Sequence, residues 1–506
     1  MKVEEVEDVH DGMEPHSDCQ VKPKTPIEAL KVFGHSSFRA GQEESIREVM
    51  DNPDGVLCVF PTGHGKSMVY QIPSLIQDGV TIVVSPLISL MQDQVEALQD
   101  IGINALLINS TVPDADVEMA LAEVYSGDVP LLYIAPERFR SSKFIDRISG
   151  LSVSLFAVDE AHCISKWGND FRPAYSELGK AIQLVGPERI VALTATATKE
   201  VQDDICKILG IPNARRFVKG VYRDNLIIRF IPATGDQRLS LIARIAKSYR
   251  GKGEKTGVVY TNSKKGAEKV ASYLRDLGIP ASYYHAGMPL KERRKVQESW
   301  SKNGGIIAAT TAFGMGIDRP DVRFVINCGI AQSVEDWYQQ IGRAGRDGKD
   351  SLCVTIADLN FDYKSSLFLI DMVTPRGSDV RSFWNWLQRY SAPKAQSGED
   401  FADVSLQQKM MVEYSSVKSV GACIGFLKKR GLVESLCRGK YRVKIRSDVE
   451  FDSGEINKVR MDKVGKLNKV CDLFRTDGCI YRKVVDYFGD GSLSSNCGKC
   501  GGCSKK

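Results

Sequence analysis

A glycine-rich stretch after an apolar run carries the side chains best suited to phosphate chemistry. Residues 60–67 read FPTGHGKS and connect the apolar residues 56–60 to a segment with helical periodicity. The glycines let backbone N–H groups turn towards phosphate oxygens, beside the positive end of the helix. The lysine reaches the β- and γ-phosphates and the serine hydroxyl can ligate Mg²⁺. A strand-to-helix turn without a ligand is the alternative. We predict a nucleotide-binding loop of Thr62, Gly63, Gly65, Lys66 and Ser67.

Two adjacent carboxylates follow a second apolar run. Residues 153–158 read VSLFAV and end at Asp159 and Glu160. A carboxylate at a strand end beside a phosphate loop can hold Mg²⁺, and its neighbour can orient and deprotonate the attacking water. We assign the first role to Asp159 and the second to Glu160, whereas the alternative is an acidic helix cap. The pair predicts hydrolysis of a nucleoside triphosphate.

Two arginines three residues apart lie among glycines in the second half of the chain. Residues 338–348 read YQQIGRAGRDG. Helical spacing places Arg343 and Arg346 on one face, from which both can reach a transferring phosphoryl group as arginine fingers. A solvated basic helix start is the alternative. The loop at 310–318 is a second glycine-rich segment at a strand end and suits contact with backbone phosphates.

Length and composition restrict the class of protein. A chain of 506 residues is too long for one hydrophobic core, so about three or four domains are expected. Its 43% apolar and 26% charged residues are ordinary for a globular protein. We predict no membrane helix, because no apolar stretch approaches ~20 residues. The acidic N-terminus resembles neither a signal nor a transit peptide, and thirteen mostly scattered cysteines indicate a reducing compartment.

Apolar runs alternate with amphipathic segments through most of the chain, which predicts parallel sheets covered by helices. Two such series occur, and they place a cleft between two α/β halves where nucleotide can bind. The predicted strands are residues 56–60, 81–85, 131–135, 155–158 and 190–193 in the first half, and 257–261, 281–285, 306–309 and 324–327 in the second.

The C-terminal part shows a basic hairpin. Residues 416–430 have helical periodicity, and two short strands follow at 432–437 and 441–446. In the second strand apolar side chains alternate with basic ones, among them Arg442 and Lys444. A helix followed by a basic hairpin looks like a winged helix, with these two side chains as candidate DNA contacts. A solvated hairpin that binds nothing is the alternative.

Four cysteines close to the C-terminus have the spacing of a metal site. Three of them are each separated by two residues, and turn-forming glycines lie between them. Such thiols cannot readily all pair as disulfides, but four sulfurs suit a tetrahedral structural Zn²⁺. The predicted zinc ligands are Cys479, Cys497, Cys500 and Cys503, and Cys471 is spare.

In order and content, the motifs across residues 30–360 resemble those of superfamily 2 helicases of the RecQ family. The resemblance implies two tandem RecA-like parallel-sheet domains, ATP and Mg²⁺ as cofactors, and DNA as partner. It implies that residues 33–42 read the adenine, through Gln42 at the base edge, Arg39 at the nucleotide and His35 in place of a stacking tyrosine. It also implies a nucleotide contact for Gln339.

The loop at 163–173, CISKWGNDFRP, resembles the family's aromatic-rich DNA-sensing loop. Trp167 and Phe171 can stack on unpaired bases, and Arg172 can contact phosphate. Their alternative role is to anchor the loop on the core. Lys166 and Asn169 replace a glutamine and a histidine that are typical of the family, so the coupling of DNA contact to ATP hydrolysis is expected to differ.

These observations predict an α/β protein with two RecA-like domains, a winged-helix-like segment and a zinc-binding segment. The expected function is ATP-dependent DNA unwinding with 3′-to-5′ polarity in repair or recombination, on DNA with single-stranded or forked regions. A DNA-stimulated remodelling ATPase is the alternative. The expected location is the nucleus in a eukaryote, or the cytoplasm with the nucleoid. The expected boundaries are 1–24 acidic tail, 25–218 and 219–365 RecA-like domains, 366–400 connector, 401–450 winged-helix-like segment and 451–506 zinc-binding segment.

Overall fold

The described part of the chain forms two parallel β-sheets and one small antiparallel sheet, with helices around them. The computed structural model describes residues 22–165, 172–251, 253, 256–314, 319–392, 401–405, 420–436, 440–444, 449–475 and 478–503. Most of the predicted acidic tail therefore lies outside the described residues. Within the described residues, none of the helices has the length and apolar character needed to cross a membrane.

In the first lobe the described residues form seven strands and eight α-helices. The strands are β1 (Val56–Val59), β2 (Val80–Val84), β3 (Ala105–Ile108), β4 (Leu131–Ile134), β5 (Val153–Val158), β6 (Ile190–Thr194) and β7 (Arg215–Val218). The helices are α1 (Pro26–Val32), α2 (Gln42–Asp51), α3 (Met68–Ile76), α4 (Ile88–Gln99), α5 (Asp114–Tyr125), α6 (Ser142–Ile148), α7 (Leu178–Val185) and α8 (Lys199–Leu209). All neighbouring strands are parallel, in the order β3-β4-β2-β5-β6-β1-β7.

The strand order of the first lobe brings its candidate catalytic segments together. Strands β1, β2 and β5 are buried along their whole length, because helices cover both faces of a parallel sheet. The carboxyl ends of β1 and β5 carry the phosphate loop and the acidic pair, and β6 lies between them. Ligand sites in open α/β sheets form at this edge.

Six parallel strands and four helices make up the second lobe, as far as its residues are described. The strands are β8 (Leu226–Pro232), β9 (Gly257–Thr261), β10 (Ala281–Tyr284), β11 (Ile306–Ala309), β12 (Phe324–Cys328) and β13 (Ser351–Ala357), in the order β10-β11-β9-β12-β13-β8. The helices are α9 (Gly235–Gly251), α10 (Lys264–Asp276), α11 (Leu290–Asn303) and α12 (Val334–Ile341). The prediction of two tandem RecA-like parallel-sheet domains is confirmed.

All predicted strands of the two lobes occur, within about a residue or two of their expected ends. The sequence analysis missed β3, β7, β8 and β13. Strand β7 was missed because it reads RRFV and forms the sheet edge, where one face is open to solvent. Strand β8 was missed because its burial alternates and Arg229 interrupts its apolar run.

Among the described residues of the C-terminal part are five helices and an antiparallel sheet of three strands in the order β14-β16-β15. Its elements are α13 (Leu359–Val373), α14 (Gly377–Ser391), β14 (Phe401–Ser405), α15 (Val420–Lys429), β15 (Val433–Ser435), β16 (Lys440–Lys444), α16 (Ser453–Arg475) and α17 (Ile480–Phe488). Strands β15 and β16 form the expected hairpin, with Val443 fully buried. Strand β14 was not predicted, and residues 416–419 and 445–446 of the predicted elements lie outside the described residues.

The small sheet belongs to a module that interrupts a helix pair. Helices α13 and α16 contact each other, and Tyr363 Oη donates to Asn468 Oδ1 at 2.8 Å. The module begins at Gly377, where a Cβ atom would lie 2.7 Å from the Cα of Ser453. Helix α16 continues onto the second lobe, where the Phe474 ring stacks on Phe230 with centroids 5.1 Å apart. The zinc-binding segment therefore packs against the second lobe.

Candidate functional site: a nucleotide cleft between two lobes

The predicted phosphate loop and acidic pair line one cavity with the two arginines of the second lobe. The cavity has a volume of about 510 Å³ and opens between the lobes. Its lining includes Thr62, Gly63, Gly65, Lys66, Ser67, Asp159, Glu160, Arg343 and Arg346. The sequence placed these side chains in one site, and the structure brings them together.

The phosphate loop is held from behind by the side chain of Gln42. Its Nε2 atom donates to the carbonyl oxygens of His64 at 2.8 Å and Gly65 at 3.2 Å, and its Oε1 accepts from Arg39 N at 2.6 Å. At Gly65, φ is +77° and a Cβ atom would lie 2.6 Å from Gln42 Nε2, so the contact requires glycine. The amide predicted to read the base is therefore engaged with the loop itself.

A second cavity adjoins the loop on the side of the predicted adenine motif. It has a volume of about 450 Å³, and His35, Arg39, Gln42 and Arg346 are among its lining residues. The Arg39 guanidinium also donates to the Gly63 carbonyl. The two cavities share loop residues, so phosphate and base compartments lie side by side.

Lys66 and Ser67 are positioned by their neighbours. Burial lowers the pKa of Lys66, while the carboxylates of Glu160 and Asp159 oppose that shift. The Ser67 hydroxyl accepts from Gln94 Nε2 at 3.4 Å, and Gln94 Oε1 accepts from the Tyr70 hydroxyl at 2.7 Å. An ammonium group and a hydroxyl thus face the phosphate side of the cavity together with two carboxylates.

The acidic pair shows backbone and electrostatic features of a functional site. Glu160 has φ +48°, the one positive φ among the described residues that are not glycine, and such strain concentrates at functional sites. Burial raises the pKa of Asp159 to about 7, and the neighbouring Glu160 adds to the shift. Burial acts against ionisation of Glu160, but His162 and Lys66 lower its pKa to about 2. Glu160 therefore carries a negative charge beside Lys66 and His162.

Buried His162 connects the acidic pair to strand β6. Its Nδ1 atom lies 3.3 Å from Glu160 Oε2 and 3.0 Å from Thr194 Oγ1. The sequence analysis named neither His162 nor Thr194 as a site residue. The signal was present in the sequence, because His162 follows the end of β5 and Thr194 is the last residue of β6, and these ends meet at the same edge of the sheet.

The second lobe closes the cleft from the opposite side. Arg343 is buried, which lowers the pKa of its guanidinium. The Arg346 side chain packs on the phosphate loop, since a Cβ on Gly63 would lie 3.0 Å from Arg346 Cγ. Thr62 Oγ1 donates to Gly342 O at 3.2 Å. Gln339 lines a neighbouring cavity and donates to Thr196 Oγ1 at 3.2 Å, so it bridges the lobes.

Of the three predicted DNA contacts in the aromatic-rich loop, the structure describes one, Arg172. Trp167 and Phe171, like Lys166 and Asn169, lie outside the described residues. The Arg172 guanidinium points inwards and donates to Pro86 O at 2.5 Å.

In the hairpin, Arg442 and Lys444 both contact strand β14. Arg442 Nε donates to Asp403 Oδ1 at 2.9 Å, and the ammonium of Lys444 lies 5.7 Å from the centroid of the Phe401 ring. Their binding to DNA remains a prediction.

Helix α16 and the second lobe line a cavity of mixed charge that the sequence analysis did not name, with Asp336 and Asp462 in its lining beside two lysines. This cavity of about 470 Å³ is also lined by Thr310 and Thr311 of the second lobe, and the lysines are Lys463 and Lys466 of α16. Burial and then the charges of Lys429 and Lys466 lower the pKa of Lys463. The signal was the i, i+3 spacing of lysines in this helix, but only the fold places them beside the 310–314 loop.

The four C-terminal cysteines converge as predicted. All four sulfurs lie within 4.8 Å of one another, with separations of 3.8 Å for Cys479–Cys500, 3.5 Å for Cys500–Cys503 and 3.9 Å for Cys497–Cys503. Sulfurs placed 2.3 Å from a central Zn²⁺ in a tetrahedron are about 3.8 Å apart. Backbone N–H groups of Ile480 and Arg482 donate to Cys500 Sγ and Cys479 Sγ. The donor set and its geometry fit zinc.

Comparisons with known proteins agree with this site. The DEAD/DEAH box helicase family matches residues 39–204, and the helicase conserved C-terminal domain matches residues 238–348. The chain is 43% identical over 326 residues to the ATP-dependent DNA helicase RecQ of Bacillus subtilis, covering 64% of this chain and 54% of that protein. It is 31% identical over 481 residues to the probable ATP-dependent DNA helicase RecS of the same organism, covering 93% and 90%.

Other relatives and solved structures extend the comparison. ATP-dependent DNA helicase Q-like 2 of Arabidopsis thaliana is 43% identical, with 64% of this chain and 47% of that protein covered. This chain thus spans only part of several curated relatives. The DUF1998 helicase MrfA, solved bound to DNA, has a TM-score of 0.55 at 16% identity and covers 85% of this chain and 60% of its own. That likeness concerns the fold.

A phosphate loop, an acidic pair and two arginines across a cleft define a two-lobed P-loop NTPase. Within that class, the chain belongs to the RecQ family of superfamily 2 helicases.

Proposed function

We propose that the protein is an ATP-dependent DNA helicase. The observation that carries the proposal is one cavity shared by Lys66, the Asp159–Glu160 pair and the arginines of the other lobe. Hydrolysis at such a site is coupled to the relative position of the lobes, because each lobe supplies part of the catalytic machinery. Binding of ATP would hold the cleft closed, and release of products would let it open.

Each residue has a defined task in this proposal. Lys66 and the N–H groups of the loop bind the β- and γ-phosphates, and Ser67 and Asp159 would hold Mg²⁺, which supplies charge neutralisation. Glu160 accepts the proton of the attacking water. Arg343 and Arg346 stabilise the negative charge on the transferring phosphoryl group. Gln42, Arg39 and His35 would position the adenine and the sugar from the adjoining cavity.

DNA would cross the second lobe at the cavity beside helix α16. This cavity is lined by Thr310, Thr311, Lys463 and Lys466 together with Asp336 and Asp462, and Lys466 Nζ lies 3.5 Å from Asp462 Oδ2. Burial and then the charges of Lys429 and Lys466 lower the pKa of Lys463, whereas Asp462 opposes that shift, and a DNA phosphate beside these lysines would favour their charged forms. Trp167, Phe171, Arg172, Arg442 and Lys444 remain candidate contacts of the same DNA.

Finer features follow from the family. We propose 3′-to-5′ movement on DNA with single-stranded or forked regions, a role in repair or recombination, and location with the genomic DNA. The proposal includes a structural Zn²⁺ on the four cysteines and the domain boundaries at residues 24, 218, 365, 400 and 450.

The second candidate function is a DNA-stimulated remodelling ATPase that does not separate strands processively. The replacements at Lys166 and Asn169 in the aromatic-rich loop support it. Both candidates require ATP hydrolysis at the same cavity.

One purified preparation separates the two candidates. We expect ATPase activity stimulated by single-stranded DNA, and separation of a 3′-tailed but not a 5′-tailed duplex. Stimulation without separation would favour the remodelling ATPase, and absence of ATPase activity would reject both. Lys66→Ala is the matched control, because loss of the inserted ammonium abolishes hydrolysis while DNA binding remains.

The DNA path is tested by the salt dependence of binding. Lys463→Ala and Lys466→Ala should each weaken binding of single-stranded DNA and reduce the slope of log K against log salt by about 0.7 per lost phosphate contact. Lys302→Ala, an exposed lysine at the end of α11, is the control. Unchanged slopes in both variants would remove this cavity from the path.

A further inference from the structure

The short connection between the lobes contacts both the arginine loop, which is the segment at residues 342–346 with Arg343 and Arg346, and the predicted zinc-binding segment. Residues 219–225 join β7 of the first lobe to β8 of the second. A crossover between two lobes could be a bare linker, but this one is held on both sides by specific hydrogen bonds. Arg223 and the backbone around it make most of them.

The guanidinium of Arg223 binds three carbonyl oxygens of the arginine loop. Its Nη1 atom donates to Gly342 O at 3.2 Å, and its Nη2 donates to Ala344 O at 2.9 Å and Gly345 O at 2.6 Å. These carbonyls flank Arg343 directly, and Gly345 precedes Arg346. The guanidinium therefore fixes the backbone from which both catalytic guanidinium groups project.

Further contacts hold the backbone of the arginine loop in one conformation. Asn225 Nδ2 donates to Gly345 O at 2.7 Å, and a Cβ on Gly345 would lie 2.5 Å from that nitrogen. Gly345 has φ +55°. The Gly342 carbonyl also accepts from Thr62 of the phosphate loop. A single carbonyl is thus shared by the phosphate loop and Arg223.

The zinc-binding segment holds the backbone of the same connection. The Tyr481 hydroxyl donates to Arg223 O at 3.0 Å, and Asp490 Oδ2 accepts from Val221 N at 2.8 Å. Both Tyr481 and Asp490 are buried. The Tyr481 ring also packs edge-on against Tyr222, with centroids 4.9 Å apart. None of the residues in these contacts is a candidate DNA contact.

We propose that Arg223 is a positioning residue for the arginine fingers, and that Tyr481 and Asp490 hold it in place from the zinc-binding segment. The segment then contributes to ATP hydrolysis itself, in addition to any effect on DNA binding. The inference rests on the proposed ATP hydrolysis. The effect is expected in kcat and not in ATP affinity, because the arginine fingers stabilise the charge of the transition state on the transferring phosphoryl group.

The geometry requires an arginine at position 223. A guanidinium presents several donors in a rigid plane, whereas an ammonium is a point charge on a flexible stem. Arg223→Lys therefore keeps the charge but cannot hold three carbonyls in one arrangement. Small displacements of catalytic groups cost about 100-fold in rate.

The test is ATPase activity measured without DNA. Arg223→Lys should lower basal kcat by about 10–100-fold and leave the Kd of a fluorescent ATP analogue within about twofold. Tyr481→Phe removes one hydroxyl and keeps the packing, and it should lower kcat by about two- to tenfold with unchanged zinc content. Arg216→Lys, whose guanidinium pairs with Asp203 on the first lobe, is the control.

A double-mutant cycle tests whether Arg223 acts through the fingers. Arg223→Lys added to the Arg343→Ala, Arg346→Ala double variant should be scarcely slower than that double variant alone, since both positioned groups are already absent. Three outcomes would each overturn the proposal. The first is an unchanged basal kcat in both Arg223→Lys and Tyr481→Phe, and the second is additive losses in the cycle. The third is a loss of activity that weaker ATP binding explains entirely. Absence of hydrolysis in the wild type would instead reject the proposed function.

Discussion

The Nε2 atom of Gln339 donates a hydrogen bond of 3.2 Å to Thr196 Oγ1 across the cleft. Thr196 follows strand β6, two residues after the threonine that contacts His162, and His162 lies against Glu160. A continuous polar path therefore joins the Glu160 carboxylate to the helix that precedes Arg343 and Arg346.

Gln339→Ala should weaken the coupling between the lobes. Loss of one neutral hydrogen bond costs about 0.5–1.5 kcal/mol, so we expect kcat to fall by up to about tenfold with ATP binding nearly unchanged. Steady-state ATPase kinetics with and without DNA check this, with the exposed Gln237→Ala as control. An equal fall in the control would show that the contact has no specific role.

Glu160→Gln should stop turnover without preventing ATP binding. His162 and Lys66 lower the pKa of Glu160 to about 2 despite its burial, so the carboxylate is ionised at neutral pH and can accept a proton. An amide cannot, and loss of a general base costs about 10²–10⁴-fold. Single-turnover hydrolysis and nucleotide binding on the same sample measure both effects. Turnover within tenfold of wild type would assign the base to another group.

Arg346→Ala should resemble Glu160→Gln. The side chain packs on Gly63 of the phosphate loop, and arginine fingers contribute about 10³–10⁵-fold to kcat. We expect a large loss of kcat and only a small change in ATP affinity. Arg294→Ala, on the exposed face of α11, is the matched control. Normal turnover of Arg346→Ala would mean that the site between the lobes is wrongly assigned.

Asp347→Asn should destabilise the loop that carries Arg346, in a pH-dependent manner. Burial acts against the shift, but two hydrogen bonds of 2.6 Å from Arg323 Nη2 lower the pKa of Asp347 below its ordinary value. The carboxylate therefore stabilises the fold above pH about 4, and this contribution is lost as the pH falls through the lower, folded-state pKa.

The expected loss for Asp347→Asn at pH 7 is about 2 kcal/mol. Melting temperatures of wild type and variant at pH 7, 5 and 3.5 measure it, and the difference should narrow at pH 3.5. A difference that is equal at all three values would exclude an ionic origin.

Cys500→Ser should remove the predicted zinc. Four thiolates leave no open position for water, so the ion is structural and its binding energy stabilises the fold. Mass spectrometry of the metal content should give one Zn²⁺ per wild-type chain and less in the variant, while Cys328→Ser retains it. We expect weaker DNA binding and preserved ATP binding. Finding no zinc in fresh wild-type protein would refute the site.

The parts of the motor that follow local rules were predictable from the sequence. A strand followed by a glycine-rich loop and a lysine specifies its own geometry, so Lys66 and Ser67 lie where the pattern placed them. The same holds for Asp159 and Glu160, which end a buried strand. The four cysteines were predictable because their spacing limits how four sulfurs can meet.

Contacts between distant segments were not predictable. No local pattern shows that the Gln42 side chain would donate to a carbonyl oxygen of the phosphate loop instead of being free to contact the adenine. Nor does any local pattern show that the Arg172 guanidinium would donate to Pro86 O. The lysines of α16 look like an ordinary solvated helix face until the fold sets them beside the loop at 310–314. Strand β14 was missed because its exposed and buried residues alternate and Asp403 interrupts a short run.

The contact between Gly377 and Ser453 has a consequence for how the chain folds. The module with the small sheet begins and ends at two points that are close together, one after α13 and one at the start of α16. It is therefore a long insertion between two helices that contact each other. The entropy of closing such an insertion into a loop grows only with the logarithm of its length, about 0.6 kcal/mol per doubling. Excising the module and joining its two ends by a short turn would therefore remove the hairpin that carries the candidate DNA contacts, while the helix pair keeps its chain connection.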